Sequence, residues 1–371
     1  MRIMYLVSTL GASGPTNQLF NLVTNLDKKK YTPIIITLSP EPSNTLIDEF
    51  IEKEIKVKSL SLSRLKGLFK AKKKLNQIIK AYKPDIIHSQ GLRPDSLVTN
   101  YLNEYKNVIT LRNYPYEDYP MKYGNLLGNL MAMKHTRIIK KAKNPIACSF
   151  ALKDKFKKKL NLTINSIQNG VDELKYYPVS NNEKINLRKK LGIPLDKNIF
   201  ITVGSLIKRK APQNIIKAFI NIKEINNSFL YIIGEGPLTD ECKQLYTGKN
   251  IAFLGSIVNV NEYLQASDIF ISASRSEGLP NTVLESLSVG LPVCLSDIKP
   301  HIEILELGEN AGTIFETDNI KDLTNRLNKI LKKDYLKMRN SAIQIINSHL
   351  SAKKMASKYE LLYSDINSNS T

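Results

Sequence analysis

Asp268-Ile269-Phe270-Ile271-Ser272-Ala273-Ser274-Arg275-Ser276-Glu277-Gly278-Leu279-Pro280-Asn281-Thr282-Val283-Leu284-Glu285 opens as a buried strand, passes through a turn containing Gly278 and Pro280, and continues as a helical pattern over 282–289 that Gly290 and Pro292 close. A strand that feeds a helix through a tight turn is the unit of an α/β sheet, and such sheets bind ligands at the carboxyl ends of their strands. Glu277, on the turn, is placed to accept hydrogen bonds from ligand hydroxyls. Glu285, a turn into the helix, is placed to take a diol, and the free N–H groups at the helix start face an anion between them. A plainer reading competes at Glu285: Thr282-Val283-Leu284-Glu285 also fits a capping box, with Glu285 reaching back to the Thr282 backbone.

The same alternation extends in both directions. Residues 3–7, 34–38, 55–60, 86–88, 108–111 and 145–148 are short apolar runs separated by helical stretches such as 17–26 and 65–81. A second series follows at 199–203, 229–233, 251–254, 269–272 and 293–295. The pattern predicts an α/β protein made of two Rossmann-like, doubly wound parallel sheets, and 371 residues is more than one typical core needs. The polar, turn-rich stretch 178–183 is the expected linker, giving domains at 1–178 and 184–350. Met355, Tyr359, Leu362 and Tyr363 recur at helical spacing and predict a final helix in 351–371.

A hydrophobic content of 42% with 8% aromatic residues is that of a globular chain rather than a disordered one. Cys148, Cys242 and Cys294 are few and lie in or near apolar runs, which predicts buried free thiols and a reducing, cytoplasmic setting. No apolar run reaches the roughly 18–20 residues that span a bilayer. Met1-Arg2 before an apolar stretch has the outline of a signal peptide, but one arginine is a thin basic region, and a first buried strand is the better reading.

The net charge of +20 is concentrated in the first half, where residues 1–175 hold 30 Lys and Arg against 14 Asp and Glu, leaving 24 against 20 beyond. Two clusters dominate: 53–83, with Lys66, Lys70, Lys72, Lys73 and Lys74, and 134–159, with Lys140, Lys141, Lys143, Lys157, Lys158 and Lys159. Leu65, Leu68, Phe69, Leu75, Ile78 and Ile79 form an apolar stripe among the first set, and Met131, His135, Ile138 and Ile139 begin another. A solvated helix face explains such lysines by itself. Nucleic acid is not the expected partner, because no reading motif accompanies the charge and aromatic residues do not interleave with it. An anionic membrane surface is the expected partner, at roughly 1 kcal/mol per Lys or Arg held near it.

Thr202-Val203-Gly204-Ser205-Leu206-Ile207-Lys208-Arg209-Lys210-Ala211-Pro212 follows a predicted strand and opens a helix near Asn214, so its glycine lets backbone approach a ligand while its cations face a phosphate-type group. Shorter strings stand at other strand ends: Gly234-Glu235-Gly236-Pro237, Phe253-Leu254-Gly255-Ser256, Asn169-Gly170-Val171-Asp172, Gly11-Ala12-Ser13-Gly14-Pro15-Thr16-Asn17, Pro84-Asp85-Ile86-Ile87-His88 and Val108-Ile109-Thr110-Leu111-Arg112-Asn113. Alone, each is a turn or a surface loop. With Glu277 and Glu285 they resemble the motifs of the retaining glycosyltransferases of family four over nearly the whole chain, specifically in the second half and more loosely in the first.

That resemblance implies the GT-B fold, in which two Rossmann-like domains face a central cleft and the final helix crosses back onto the first. It implies that Glu277 orients a sugar, that Lys210 and Arg209 stabilise a departing diphosphate, and that Gly204, Ser205, Gly234, Gly255, Ser256, Gly278, Leu279, Asn281, Thr282 and Glu285 bind the donor. Gly14, Thr16, Asn17 and Asn169 are implied on the acceptor side. The chain departs from the family pattern at Ser205 and Ala211, where Arg and Gly are usual, and at Arg112, where histidine is usual; Arg209 is expected to supply the missing guanidinium. Arg112 counts among the expected catalytic residues. It forks onto phosphate or carboxylate but does not shuttle a proton near neutral pH, so a histidine-base mechanism does not fit. His88 is expected to be structural.

The implied activity is retaining transfer from a UDP- or GDP-sugar to a lipid-linked or polysaccharide acceptor in cell-surface glycan assembly, such as capsule or lipopolysaccharide, at the inner face of the plasma membrane. Neither metal nor other cofactor is expected, because the chain has no Asp-x-Asp pair, its four histidines are scattered, and neither glycine loop fits a dinucleotide fingerprint. A sugar-nucleotide epimerase on the same fold, or a relative that binds without catalysis, are the alternatives.

Overall fold

The computed structural model describes residues 1–63 and 67–368, with the backbone alone over 67–69. The chain divides into two compact units, Met1–Gly170 with Ala352–Thr371, and Val171–Ser351. Each is built on one parallel sheet, as the alternating pattern predicts.

In the first unit the strands are β1 (Arg2–Val7), β2 (Thr32–Thr37), β3 (Lys56–Ser59), β4 (Ile86–Ser89), β5 (Asn107–Leu111), β6 (Pro145–Ala147) and β7 (Asn165–Ser166). They are ordered 3-2-1-4-5-6-7, so the first apolar run of the chain is an interior strand of the sheet. Strand alternation sends its side chains to two cores. Ile3, Tyr5 and Val7 pack with Leu19 and Leu22 of helix Gly14–Thr24 and with Met355, Tyr359 and Tyr363 of helix Ala352–Ser368. Met4 and Leu6 face Leu75, Ile78 and Ile79 of helix Gly67–Tyr82 and Val98 of helix Leu92–Tyr101. Of the first lysine-flanked stripe, Leu65 and Lys66 lie outside the described residues, as do the side chains of Leu68 and Phe69; the remaining apolar members are buried, and Lys72, Lys73 and Lys74 are exposed on the opposite face.

The second unit holds β8 (Asn198–Val203), β9 (Ser228–Ile233), β10 (Ile251–Gly255), β11 (Ile269–Ser272), β12 (Val293–Ser296) and β13 (Gly312–Phe315), ordered 10-9-8-11-12-13. Phe200, Ile216, Phe219, Ile232 and Ile271 anchor its core. The stretch expected to be a linker is a helix start instead: Ser180 caps helix Asn181–Leu191 and Glu183 completes a capping box. The polar composition there reflects cap chemistry rather than a flexible joint, and the unit boundary falls at Gly170/Val171. The unit closes on itself, because the Val171 N–H donates to the Leu350 carbonyl at 2.9 Å and Val171 forms a parallel bridge with Ser351. All three cysteines are buried. Among the described residues no helix is long and apolar enough to cross a membrane.

Candidate functional site

β8 and β11 are neighbours in the second sheet, and the chain leaves them toward opposite edges, so the loops that follow them part at a topological switch point. The loop after β8 ends in a short turn, Lys208–Lys210, before helix Pro212–Phe219. Ala211 joins the two at φ 46°, in the left-handed region. A residue with a Cβ is strained there by roughly 1–2 kcal/mol, which gives the usual glycine of the motif a physical reason.

The loop after β11 is fastened to this turn. The Arg275 N–H donates to the Arg209 carbonyl at 2.8 Å, the Arg275 guanidinium donates to the Lys208 carbonyl at 2.5 Å, and Asp318 holds that guanidinium from its other side at 2.9 Å. Within the frame, Arg209 Nη1 donates to the Ser276 carbonyl at 2.6 Å and to Glu277 Oε2 at 2.7 Å, while Lys210 Nζ lies 2.6 Å from Glu277 Oε1. Burial alone would raise the Glu277 pKa, but the Lys210 and Arg209 charges outweigh it and lower it to about 2. The carboxylate assigned to the sugar and the cations assigned to the diphosphate are therefore one cluster, in which two cations share one carboxylate and a positive charge is left over for a ligand.

Lys210 lies across Gly204, with Cε 3.6 Å from where a Cβ would stand. A small cavity of about 20 Å³ beside it is lined by Gly204, Ser205, Lys210, Ser272 and Ser274. Gly204, Gly234 and Gly255 follow one another along the ends of β8, β9 and β10, the Gly234 N–H donating to the Gly255 carbonyl at 2.7 Å. A Cβ on Gly234 would stand 2.1 Å from the Gly204 carbonyl oxygen, so only glycine lets the two loops meet. Ser205 and Ser256 are exposed on the same rim, Asn281 and Thr282 are half-buried at the start of helix Asn281–Ser288, and Gly278 and Leu279 are buried before it.

Glu285 is not a cap. The helix starts one residue earlier than the sequence suggests, with Pro280 as its N-cap, so Thr282 lies inside the first turn and cannot be the cap of a capping box. Glu285 is buried, and burial raises its pKa to about 7 against the pull of Lys175 and Lys210. Because the folded value lies above the unfolded one of 4.5, this group lowers stability progressively as pH rises from 4.5 through 7, by about 3 kcal/mol at most. Glu285→Gln is accordingly expected to flatten that slope: denaturant unfolding at pH 5 and pH 8 should show the variant gaining on the parent at pH 8. Were a ligand's hydroxyls to donate to Glu285, they would favour the ionised form, and binding near pH 6 would release a proton, which calorimetry in buffers of different ionisation enthalpy would register.

In the first unit, Gly14 and Asn17 are exposed at the start of helix Gly14–Thr24, whereas Thr16 is buried and donates its hydroxyl to the Gly11 carbonyl at 2.7 Å. Thr16 thus builds the loop. Arg112, at the end of β5, donates to Asn169 Oδ1 at 2.5 Å and to Gln90 Oε1 at 3.3 Å. Both partners are neutral, and among the described residues no carboxylate pairs with it. His88 is structural as expected: it is buried, with Nδ1 2.6 Å from the Tyr363 hydroxyl and Nε2 2.7 Å from the Thr110 hydroxyl. Burial, aided by the Arg112 charge, lowers its pKa to about 3.

Sequence reasoning missed Arg275 and His301. His301 is fully buried behind the Glu277 loop, held by Ser296, whose hydroxyl donates to the Ser274 carbonyl at 2.6 Å; burial lowers the His301 pKa to about 4, leaving it neutral. Arg275 stands inside the opening motif but resembles any exposed arginine there. A buried histidine 24 positions beyond Glu277 leaves no periodic trace in the sequence.

Residues 12–173 match Glycosyltransferase Family 4, and residues 183–348 match Glycosyl transferases group 1. The O-antigen biosynthesis glycosyltransferase WclY of Escherichia coli is 26% identical over 381 aligned positions, covering 99% of both chains. The UDP-Gal:alpha-D-GlcNAc-diphosphoundecaprenol alpha-1,3-galactosyltransferase of Escherichia coli is 31% identical over 216 positions, 55% of each chain. Among solved structures, sucrose-phosphate synthase from Thermosynechococcus elongatus superposes over the full length of both chains with a TM-score of 0.85 at 17% identity. Anabaena Alr3699/HepE in complex with UDP does so over 98% of this chain and all of its own, with a TM-score of 0.81 at 16% identity. At those identities the likeness to solved structures is one of fold.

Proposed function

The chain belongs to the family 4 glycosyltransferases of GT-B fold, and from that premise we propose that it moves a sugar from a UDP- or GDP-sugar to a lipid-linked acceptor in cell-surface glycan assembly, with retention of configuration and without a metal ion. The observation that carries this reading is the Arg209–Lys210–Glu277 cluster at the switch point of the second sheet. The named roles of the relatives favour the setting, one being an O-antigen enzyme and one acting on a diphosphoundecaprenol-linked sugar.

In this mechanism the bond between the sugar's anomeric carbon and the phosphate oxygen breaks, and its electron pair goes to the nucleoside diphosphate. Arg209 and Lys210 are fixed beforehand, so stabilising that charge needs little reorganisation. The acceptor hydroxyl forms the new bond on the same face and passes its proton to the departing phosphate oxygen, a route that needs no general base at Arg112. Glu277 accepts hydrogen bonds from the sugar and Glu285 from the ribose. Arg112, paired among the described residues with the neutral amides of Gln90 and Asn169, would hold an anionic group of the acceptor. The working place is the cytosolic face of the plasma membrane, with the chain bound peripherally.

A panel of UDP-, GDP- and ADP-sugars read by thermal shift tests the reading. At a hundred times its dissociation constant the cognate donor should add about 2.7 kcal/mol of stability. NMR of the product should show the donor's anomeric configuration, and chelator should leave the rate unchanged. No shift from any nucleotide sugar would overturn the proposal, and an isomerised donor formed without acceptor would establish the epimerase instead.

A further inference from the structure

Helices Pro115–Tyr123 and Asn125–Lys141 of the first unit form a hairpin around Gly124 that is apolar on two sides. The inward side buries Gly128, Ala132, His135, Ile138 and Ile139, as an ordinary amphipathic helix would. The outward side leaves Leu126 82%, Leu127 54% and Leu130 52% exposed, with Met121 58% exposed across the turn. Soluble surfaces rarely cluster large apolar groups this way without a partner. Leu126, Leu130 and Met133 also help line an open groove of about 530 Å³.

Charge identifies the partner. Leu126, Leu130, Met133 and Arg137 follow one helical stripe, and Lys140 and Lys141 continue it, so apolar groups give way to cations over roughly 16–22 Å of helix. Residues 115–143 hold six cations against the two acids Glu117 and Asp118. A second copy docking through this patch would bring like charges together. A bilayer surface fits both halves, because acyl chains accept the tip while anionic headgroups meet the cations.

The mount is stiff. A Cβ on Gly128 would stand 2.4 Å from the Pro120 backbone, so the two helices are in direct contact. His135 ties them to the sheet: its Nδ1 lies 2.7 Å from the Tyr119 hydroxyl and its Nε2 2.9 Å from Asp95, which accepts from the Ser89 hydroxyl at 2.6 Å at the end of β4.

We infer that the tip of this hairpin inserts into an anionic bilayer and that it, rather than the Lys72–Lys73–Lys74 face, is the main membrane anchor. The inference rests on the membrane reading above but locates it. The chain has no tryptophan, so L126W introduces a single reporter. With the full chain and phosphatidylcholine vesicles containing about 30% phosphatidylglycerol to supply an anionic surface, L126W fluorescence should shift to the blue and be quenched by brominated acyl chains. L126D/L127D should bind at least tenfold more weakly with an unchanged thermal midpoint, a larger loss than K72E/K73E/K74E. Vesicle binding with an unshifted indole, or a larger loss from the lysine triple variant, overturns the inference while the membrane reading stands. Absence of vesicle binding overturns both. A blue shift that appears with protein concentration alone identifies a second copy as the occupant and also overturns the inference.

Discussion

Glu277→Gln is expected to lower kcat by roughly two to three orders of magnitude at saturating donor, the scale on which removal of a fixed charge-stabilising group acts. The substitution keeps shape and removes charge, so Arg209 and Lys210 lose the carboxylate that aligns them at 2.7 and 2.6 Å. Stability should fall as well. The folded carboxyl titrates at about 2, below its ordinary 4.5, so the stability it contributes is fully present above pH 4.5 and is lost as pH falls through 2. That contribution is at most about 3 kcal/mol, reduced because both cations are partly open to solvent. Activity must therefore be measured well below the variant's unfolding midpoint. Lys210→Ala should lose transfer comparably, and the double variant should lose much less than the product of the two, since residues of one cluster couple. Wild-type turnover in both single variants would end the assignment.

Tyr363→Ala should cost the first unit about 3–5 kcal/mol, as removal of a buried aromatic side chain does. Its hydroxyl joins His88 at 2.6 Å and Tyr5 at 3.0 Å, and the chain of contacts runs on through Thr110 to the Tyr359 hydroxyl. All of these groups are buried, so truncation also strands polar atoms without water. Unfolding followed by calorimetry with and without the nucleotide sugar that the panel identifies would separate the units: with the proposed donor site in the second unit, the substitution should lower one transition and leave the ligand-stabilised one in place. A single unshifted transition would mean that helix Ala352–Ser368 does little for the first sheet.

Much of this architecture was legible because strands buried on both faces read as continuous apolar runs, as 3–7 and 199–203 do. β7, two residues long and written Asn165–Ser166, has no such run, and β13 opens on Gly312. Of the candidate site, the glycine loops and both glutamates were visible as local strings. Their pairing was not, because Arg209 and Glu277 are 68 positions apart and meet only when β8 and β11 become neighbours. The capping-box reading of Glu285 failed because Pro280 moved the helix start. The outward face of the hairpin escaped notice because helical periodicity explains one buried stripe and is silent about a second, exposed one.

The bridge between Val171 and Ser351 has a consequence for biosynthesis. The second unit is one uninterrupted piece of chain whose ends meet, so it can mature as soon as it clears the ribosome. The first sheet emerges earlier yet must wait for Ala352–Ser368 to cover Tyr5 and His88, holding a half-finished apolar face through the synthesis of some 180 intervening residues, a stretch in which chaperones have their best access.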